Sequence, residues 1–446
     1  MEIPSLLLAR AQFLVSFSFL ALFMAVALAL AWLLLFFKIR ARVTGQAGWT
    51  AAYRFWVRIF ALSFVLALGA ALPVLVQMGS LWGGVMDRIG NVAGPLVGYG
   101  VLSVFVLKSC FLGVMLFGQR RVSDAAHTLA VFMVAIGQLV AVGWLVALHS
   151  WMQTPDGAAL IEGRYQVYDW PAVVFNPSFG WSMALTVLGA LLAAAFLIMG
   201  VIALQTLRRP PGDGERNAFK AAAVVAAFAA LLQAPAALGL AELVAVHQPA
   251  KAAAVAGYWH TGAQPELALV GWPDAETQTN LYSWTVHSGS RLLGRTAQGE
   301  FVGLDRFAGM QPPVALVFWS ARVAVLLGLA MLGAACLTLL LGWRRHLDPS
   351  ALPAWWLRTL IGMTFAGGIA AVAGWWVSLV GLLPYTVNRT VTQSEVLSSA
   401  SHTSLGYGLL AYVLLYLALG LAFVGMLLHA ARYGVVPVRK AIGGAA

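Results

Sequence analysis

Long apolar runs separated by short polar stretches dominate this chain. Nine of them are long enough to cross a bilayer as helices: Phe13–Phe37, Phe55–Val76, Val92–Phe117, Thr128–Leu148, Trp181–Leu204, Phe219–Leu240, Val314–Leu341, Trp356–Leu383 and Leu405–Leu428. None shows the period-two alternation of barrel strands, and backbone in lipid must satisfy its own hydrogen bonds, so the pattern predicts α-helices without a broken-helix signal. The expected fold is an all-α polytopic membrane protein, read as one membrane domain over 1–446. The one long stretch between spans is 241–313. It holds Pro249, Pro265, Pro273, Pro312 and Pro313 among Tyr258, Trp259, Trp272, Tyr282 and Trp284. A connection of that length inside a compact protein is expected to be functional.

The polar stretches alternate in charge. Lys38, Arg40, Arg42, Arg54 and Arg58 follow span one, Arg120 and Arg121 follow span three, and Arg208, Arg209, Arg216 and Lys220 follow span five. Arg344 and Arg345 follow span seven, and the tail carries Arg432, Arg439 and Lys440. The 149–180 stretch instead carries Asp156, Glu162 and Asp169. By the positive-inside rule the basic set is cytoplasmic, which puts the N-terminus and the 241–313 loop outside and the C-terminus inside. The first run is too long for a signal-peptide core and its flanking charge mostly follows it, so it reads as a retained span.

Composition then narrows the chemistry. Of 446 residues, 61% are hydrophobic and 10% charged, which excludes an ordinary soluble domain. The net charge of +11 is explained by cytoplasmic loops and needs no nucleic acid. Cys110 and Cys336 both lie in apolar runs, which excludes a disulfide framework or a thiolate zinc site. No carboxylate lies near the middle of a span. His127, His149, His402 and His429 sit at span edges, His247, His260 and His287 in the long loop and His346 in a cytoplasmic loop, where they read as facing water or headgroups. Two cations do lie within spans. Lys108 is about 13 Å from the inner end of span three, and Arg322 is about two turns into span seven from the outer side. Arg322 stays charged and needs an anion or water, so a lipid, a ligand or another subunit is expected to meet it. Lys108 is expected either to snorkel to the interface or to meet an acid of a partner.

Several segments in order resemble subunit I of the cytochrome bd-type quinol oxidases. Ala9-Arg10-Ala11-Gln12-Phe13 resembles the start of the family's first helix, and Gln77-Met78-Gly79-Ser80-Leu81-Trp82 its Q-F-G-T-N-W segment. Gly94-Pro95-Leu96 and Phe117-Gly118 frame the third helix as in the family. Trp151-Met152-Gln153-Thr154-Pro155 is similar to W-M-Q-N/T-P, the most specific of the matches. Phe175-Asn176-Pro177, Pro273-Asp274-Ala275-Glu276 with Thr279, and Gly374-Trp375 with Pro384 follow at matching places. The resemblance implies nine helices, heme b and heme d, quinol oxidation at the outer loop and oxygen reduction in a bacterial inner membrane.

Carried over residue by residue, the resemblance fails at the redox centres. Counting from Arg10, the first-helix heme-ligand histidine falls on Leu20, and counting from Asn176-Pro177 the helix-five histidine falls on Leu185. The axial methionine after Arg322 falls on Ala324. The helix-three carboxylates fall on Tyr99 or Gly100 and on Leu107 or Lys108, depending on the anchor used. In helix eight the usual glutamate falls on Leu379, and the arginine and glutamine before the proline on Leu382 and Leu383. Leucine and alanine have no lone pair for iron. Tyr99 offers an oxygen, though an interior tyrosine normally finds a hydrogen-bond partner instead. The quinol-associated lysine is matched by Lys251, while its glutamate partner falls on Ala256.

Two functions are therefore expected as alternatives. One is a heme-free membrane subunit that keeps the scaffold and docks against a heme-carrying partner, with no heme of its own. The other is a catalytic subunit I passing electrons from quinol to oxygen. Lys251, Arg322 and Trp375 are the positions expected near quinone or a partner's heme, with Lys108 and Tyr99 as further candidates. Membrane lipid is expected around the bundle. The small-residue stretch Gly189-Ala190 with Ala193-Ala194-Ala195 is expected at a helix contact, either with the partner or within the chain.

Overall fold

The computed structural model describes residues 3–398 and 402–433, so Arg439 and Lys440 lie outside the described residues. Among those described, nine helices are long and apolar enough to cross a membrane. α1 (Ile3–Thr44) and α2 (Ala47–Ser80) form the first pair. The third span starts as α3 (Gly83–Ser103), widens through a π-helical turn at Val104–Ser109 and finishes as α4 (Cys110–Phe117). α5 (Asp124–Gln153) is the fourth. A small hairpin of β1 (Ala158–Ile161) and β2 (Arg164–Val167), then α6 (Trp170–Val174), leads into α7 (Phe179–Thr206) and α8 (Asp213–His247). The long loop holds α9 (Pro249–Ala256) and a hairpin of β3 (Leu267–Asp274) and β4 (Thr279–Val286). α10 (Val314–Gly342) is the seventh span, and the eighth is split into α11 (Ala354–Gly362) and α12 (Ala366–Val380). β5 (Tyr385–Val387), β6 (Val391–Thr392) and α13 (Gln393–Val396) precede α14 (His402–Tyr433).

Every predicted span coincides with helix, unbroken in all but the third and eighth, and most helices outrun the apolar runs, while the eighth ends at Val380, short of Leu383. α1 carries Lys38, Arg40 and Arg42 on its own last turns, and α8 continues to His247 into what the pattern assigns to the loop. Ser123 caps α5 by accepting the Ala126 N–H at 3.3 Å. The Lys38–Asp124 ion pair then ties α1 to α5 at the basic end of the bundle. α1 and α7 are the most enclosed of the spans, packed by their neighbours on most sides.

Two spans depart from the uninterrupted helices expected. The π turn in span three presents Lys108 to α5, where Gly137 makes room: a Cβ there would sit 2.8 Å from Lys108 Cγ and Leu107 Cβ. Span eight breaks at Met363–Phe365, where Thr364 Oγ1 donates to the Ile361 carbonyl at 2.6 Å. Thr364 presses against Gly200 of α7, where a Cβ would be 2.1 Å from Thr364 Oγ1. Gly367 sits equally close over Ala193, 2.5 Å from its Cα to a notional Cβ. Ala190, Ala193, Ala194 and Ala195 are buried inside this chain, with Ala193 under Gly367 of α12, so this stretch packs within the chain.

Candidate functional site

Among the polar side chains of α5, His127, Gln138, His149 and Gln153 are regularly spaced. Eleven residues is about three helical turns, so the first three share one face, and the last is one turn beyond. That face points into the bundle. At the long-loop end it meets α9 and α12 in one connected polar cluster, with Phe17 of α1 packed beside it.

Lys251 anchors this cluster. α9 folds back across the end of the bundle and buries the side chain to 3% exposure. The ammonium donates to Gln153 Oε1. Gly381 at the end of α12 leaves room for the lysine stem, because a Cβ there would be 2.8 Å from Lys251 Cγ and Cε. Gln153 Nε2 donates to the Ser378 carbonyl at 3.0 Å and lies 3.5 Å from His149 Nε2. His149 Nε2 in turn lies 2.7 Å from Ser378 Oγ. Trp375 packs edge-on against the His149 ring, with centroids 4.9 Å apart, and against Phe17 of α1 at 5.0 Å. Gln248 Nε2 closes the group by donating to the Gln153 carbonyl at 2.8 Å. Burial without a carboxylate partner lowers the Lys251 ammonium from 10.5 to about 7.

A cavity of about 270 Å³ opens beside Lys251, lined also by Gln248, Phe307, Met310, Tyr385 and Arg389. Gln248 Oε1 is buried there without a hydrogen-bond partner. The site therefore combines apolar walls, a buried amine able to lose its proton near neutral pH, and an acceptor without a donor.

The other expected residues fall elsewhere. Arg322 does not wait for an external anion. Its guanidinium donates to the carbonyls of Val255 and Ala268, to Phe318 O at 3.2 Å and to Leu269 O at 3.4 Å, and it lies over the Phe318 ring. Carbonyl dipoles from α9, β3 and α10 replace the anion, and the arginine pins the long loop to span seven. It reaches the Lys251 cluster only through the α9 backbone. Lys108 neither snorkels nor lacks a partner in this chain. It is buried, donates to Gln138 Oε1 at 3.1 Å and sits 5.4 Å from the Phe64 ring centre. Tyr99 is 53% exposed on the outside of the bundle and lies tilted against Trp144, with ring centroids 5.2 Å apart.

Two histidines also correct the edge reading. His127 is buried, with Nε2 3.2 Å from the Met115 carbonyl, and His149 belongs to the Lys251 cluster instead of facing headgroups. The missed signal was the spacing of 127, 138, 149 and 153 on one helix face, which composition alone does not display.

The positions counted for heme ligands do not fit iron. Leu20 is buried in a continuous apolar core with Phe17, Phe19 and Phe23, and Leu185 packs against the same core. Ala324 is half-buried on α10. None of the three side chains has a donor atom for iron.

Together these features define a multi-pass helical membrane protein whose long loop folds back over a buried lysine. The profile of the cytochrome bd terminal oxidase subunit I family matches residues 8–435, and the chain belongs to that family. It is 27% identical over 443 residues to cytochrome bd ubiquinol oxidase subunit 1 of Bacillus subtilis, covering 96% of this chain and 94% of the relative. It is 26% identical to cytochrome bd-II ubiquinol oxidase subunit 1 of Escherichia coli, covering 96% of each. A chain of the bd oxidase structure from Geobacillus thermodenitrificans superposes with a TM-score of 0.86 at 20% identity, over 96% of this chain and 99% of that one. This last likeness is one of fold.

Proposed function

We propose that this chain is a heme-free membrane subunit of a bd-type quinol oxidase-like respiratory complex in a bacterial inner membrane. In this reading it supports a heme-carrying partner, with its N-terminus and long loop outside and its C-terminus in the cytoplasm. The observation that carries the proposal is the chemistry of Leu20, Leu185 and Ala324. Scaffold is kept while the ligands are absent, and function follows the site and not the fold. The catalytic alternative draws on the full-length similarity to subunits named ubiquinol oxidases.

A quinone headgroup is a fitting occupant of the cavity beside Lys251. The amine donates to a quinone oxygen and the apolar walls take the ring. Ala256 stands where the resemblance places a proton-accepting glutamate, so binding without turnover is the expected behaviour. Native mass spectrometry in mild detergent tests the assembly, with a heteromer carrying heme on the other subunit as the expected result. Monomer alone would refute it. Quinone affinity that is unchanged in a complex carrying Lys251→Ala would remove the ligand from the account.

A further inference from the structure

We propose that the β3–β4 hairpin of the long loop lies flat in the headgroup–acyl boundary of the adjoining leaflet, with bilayer lipid as its partner, as a lateral extension of span seven.

The register sets its face. Val270 pairs with Trp284 and Trp272 with Leu281, and directly opposed residues share a side of a two-stranded sheet. Val270 and Trp272 are two apart and so point the same way. Irregular pairing between Ala268 and Trp272, with Tyr282 at φ 50°, keeps Leu281 and Trp284 on that side as well. The result is one apolar face of Val270, Trp272, Leu281 and Trp284, with no Lys or Arg anywhere in 267–286. Trp272 is 58% and Trp284 68% exposed, and Tyr282 is exposed beside them.

The depth of the hairpin comes from its anchors. Arg322, about 12 Å along α10 from Val314, holds the Ala268 and Leu269 carbonyls. The base of the hairpin is therefore beside the helix and not above its end. Trp272 packs on Trp319, with centroids 6.5 Å apart. Trp319 belongs to the row Leu316, Trp319, Val323 and Leu326, spaced three and four apart, and Leu316, Val323 and Leu326 are exposed. In a multi-pass protein that row faces lipid, and the apolar face of the hairpin continues it sideways. Unpaired strand-edge N–H and C=O groups exclude the hydrocarbon centre, while Trp and Tyr favour the interface. The polar tip, Asp274 to Gln278, then reaches back to water.

Site-directed spin labelling of the intact complex in phosphatidylethanolamine/phosphatidylglycerol nanodiscs tests this. Single cysteines are placed at Val270→Cys, Trp284→Cys, Glu276→Cys and Leu326→Cys after Cys110→Ala and Cys336→Ala. The expected result is that labels at 270 and 284 relax more with oxygen than with a nickel chelate, as at the lipid reference 326, while 276 shows the reverse. Labels at 270 and 284 as open to nickel as 276 would overturn the proposal in favour of a solvated hairpin. Labels shielded from both reagents would overturn it in favour of a protein partner. Two independent positions keep the test valid if one substitution disturbs the hairpin.

Discussion

Replacing Lys251 with methionine isolates the energetics of the buried amine. The two side chains have similar length and volume, so the space under Gly381 stays filled. Burial lowers the folded-state pKa from 10.5 to about 7. Between those values the unfolded chain holds a proton that the folded chain has lost, so stability rises with pH through that window. Below about pH 7 both states are protonated and the whole burial penalty is present, roughly 5 kcal/mol for that gap. The methionine variant removes the penalty but leaves Gln153 Oε1 without its donor, at about 1–3 kcal/mol. Lys251→Met should therefore stabilise the protein by about 2–4 kcal/mol near pH 6. The gain should shrink steadily and reach about zero or below near pH 9.5. Thermal unfolding of the detergent-solubilised protein and variant across that range, followed by tryptophan fluorescence, reads the difference directly. A variant less stable by the same amount at every pH would refute the reasoning, since it would mean the amine is charged and paired in the folded protein.

Two further substitutions probe the internal partners. Gln138→Leu strips the Lys108 ammonium of its acceptor and should lower stability by about 1.5–3 kcal/mol, with most of the loss recovered in Lys108→Leu/Gln138→Leu. An unrecovered double variant would show that Gln138 acts through packing alone. Arg322→Lys keeps the charge but loses the planar fork that reaches several carbonyls, so limited proteolysis should cut the 257–313 segment markedly faster. Unchanged cleavage would mean that the loop is held by other contacts.

The spans were legible because lipid imposes a minimum length of apolar sequence, and that length survives any detail of packing. The interruptions were not. The π turn at Val104–Ser109 depends on the bare backbone of Gly137 opposite, and the break at Met363–Phe365 depends on Gly200 accepting Thr364. Both are pairings between residues far apart in sequence. At the site, Lys251 and the W-M-Q-T-P motif were visible separately, while the bond from Lys251 to Gln153 appears only when α9 folds back. Arg322 and Lys108 stand out in the sequence as costly, but their internal partners do not: backbone carbonyls and a glutamine amide carry no charge to mark them.

The central claim is that the scaffold persists without its own redox centres, and heme content per chain tests it most directly. A pyridine hemochrome assay on the chain purified without its partner should give heme far below one per chain, with absorbance restored only in the assembled complex. Near-stoichiometric heme on the isolated chain would contradict the account and return the protein to the catalytic class.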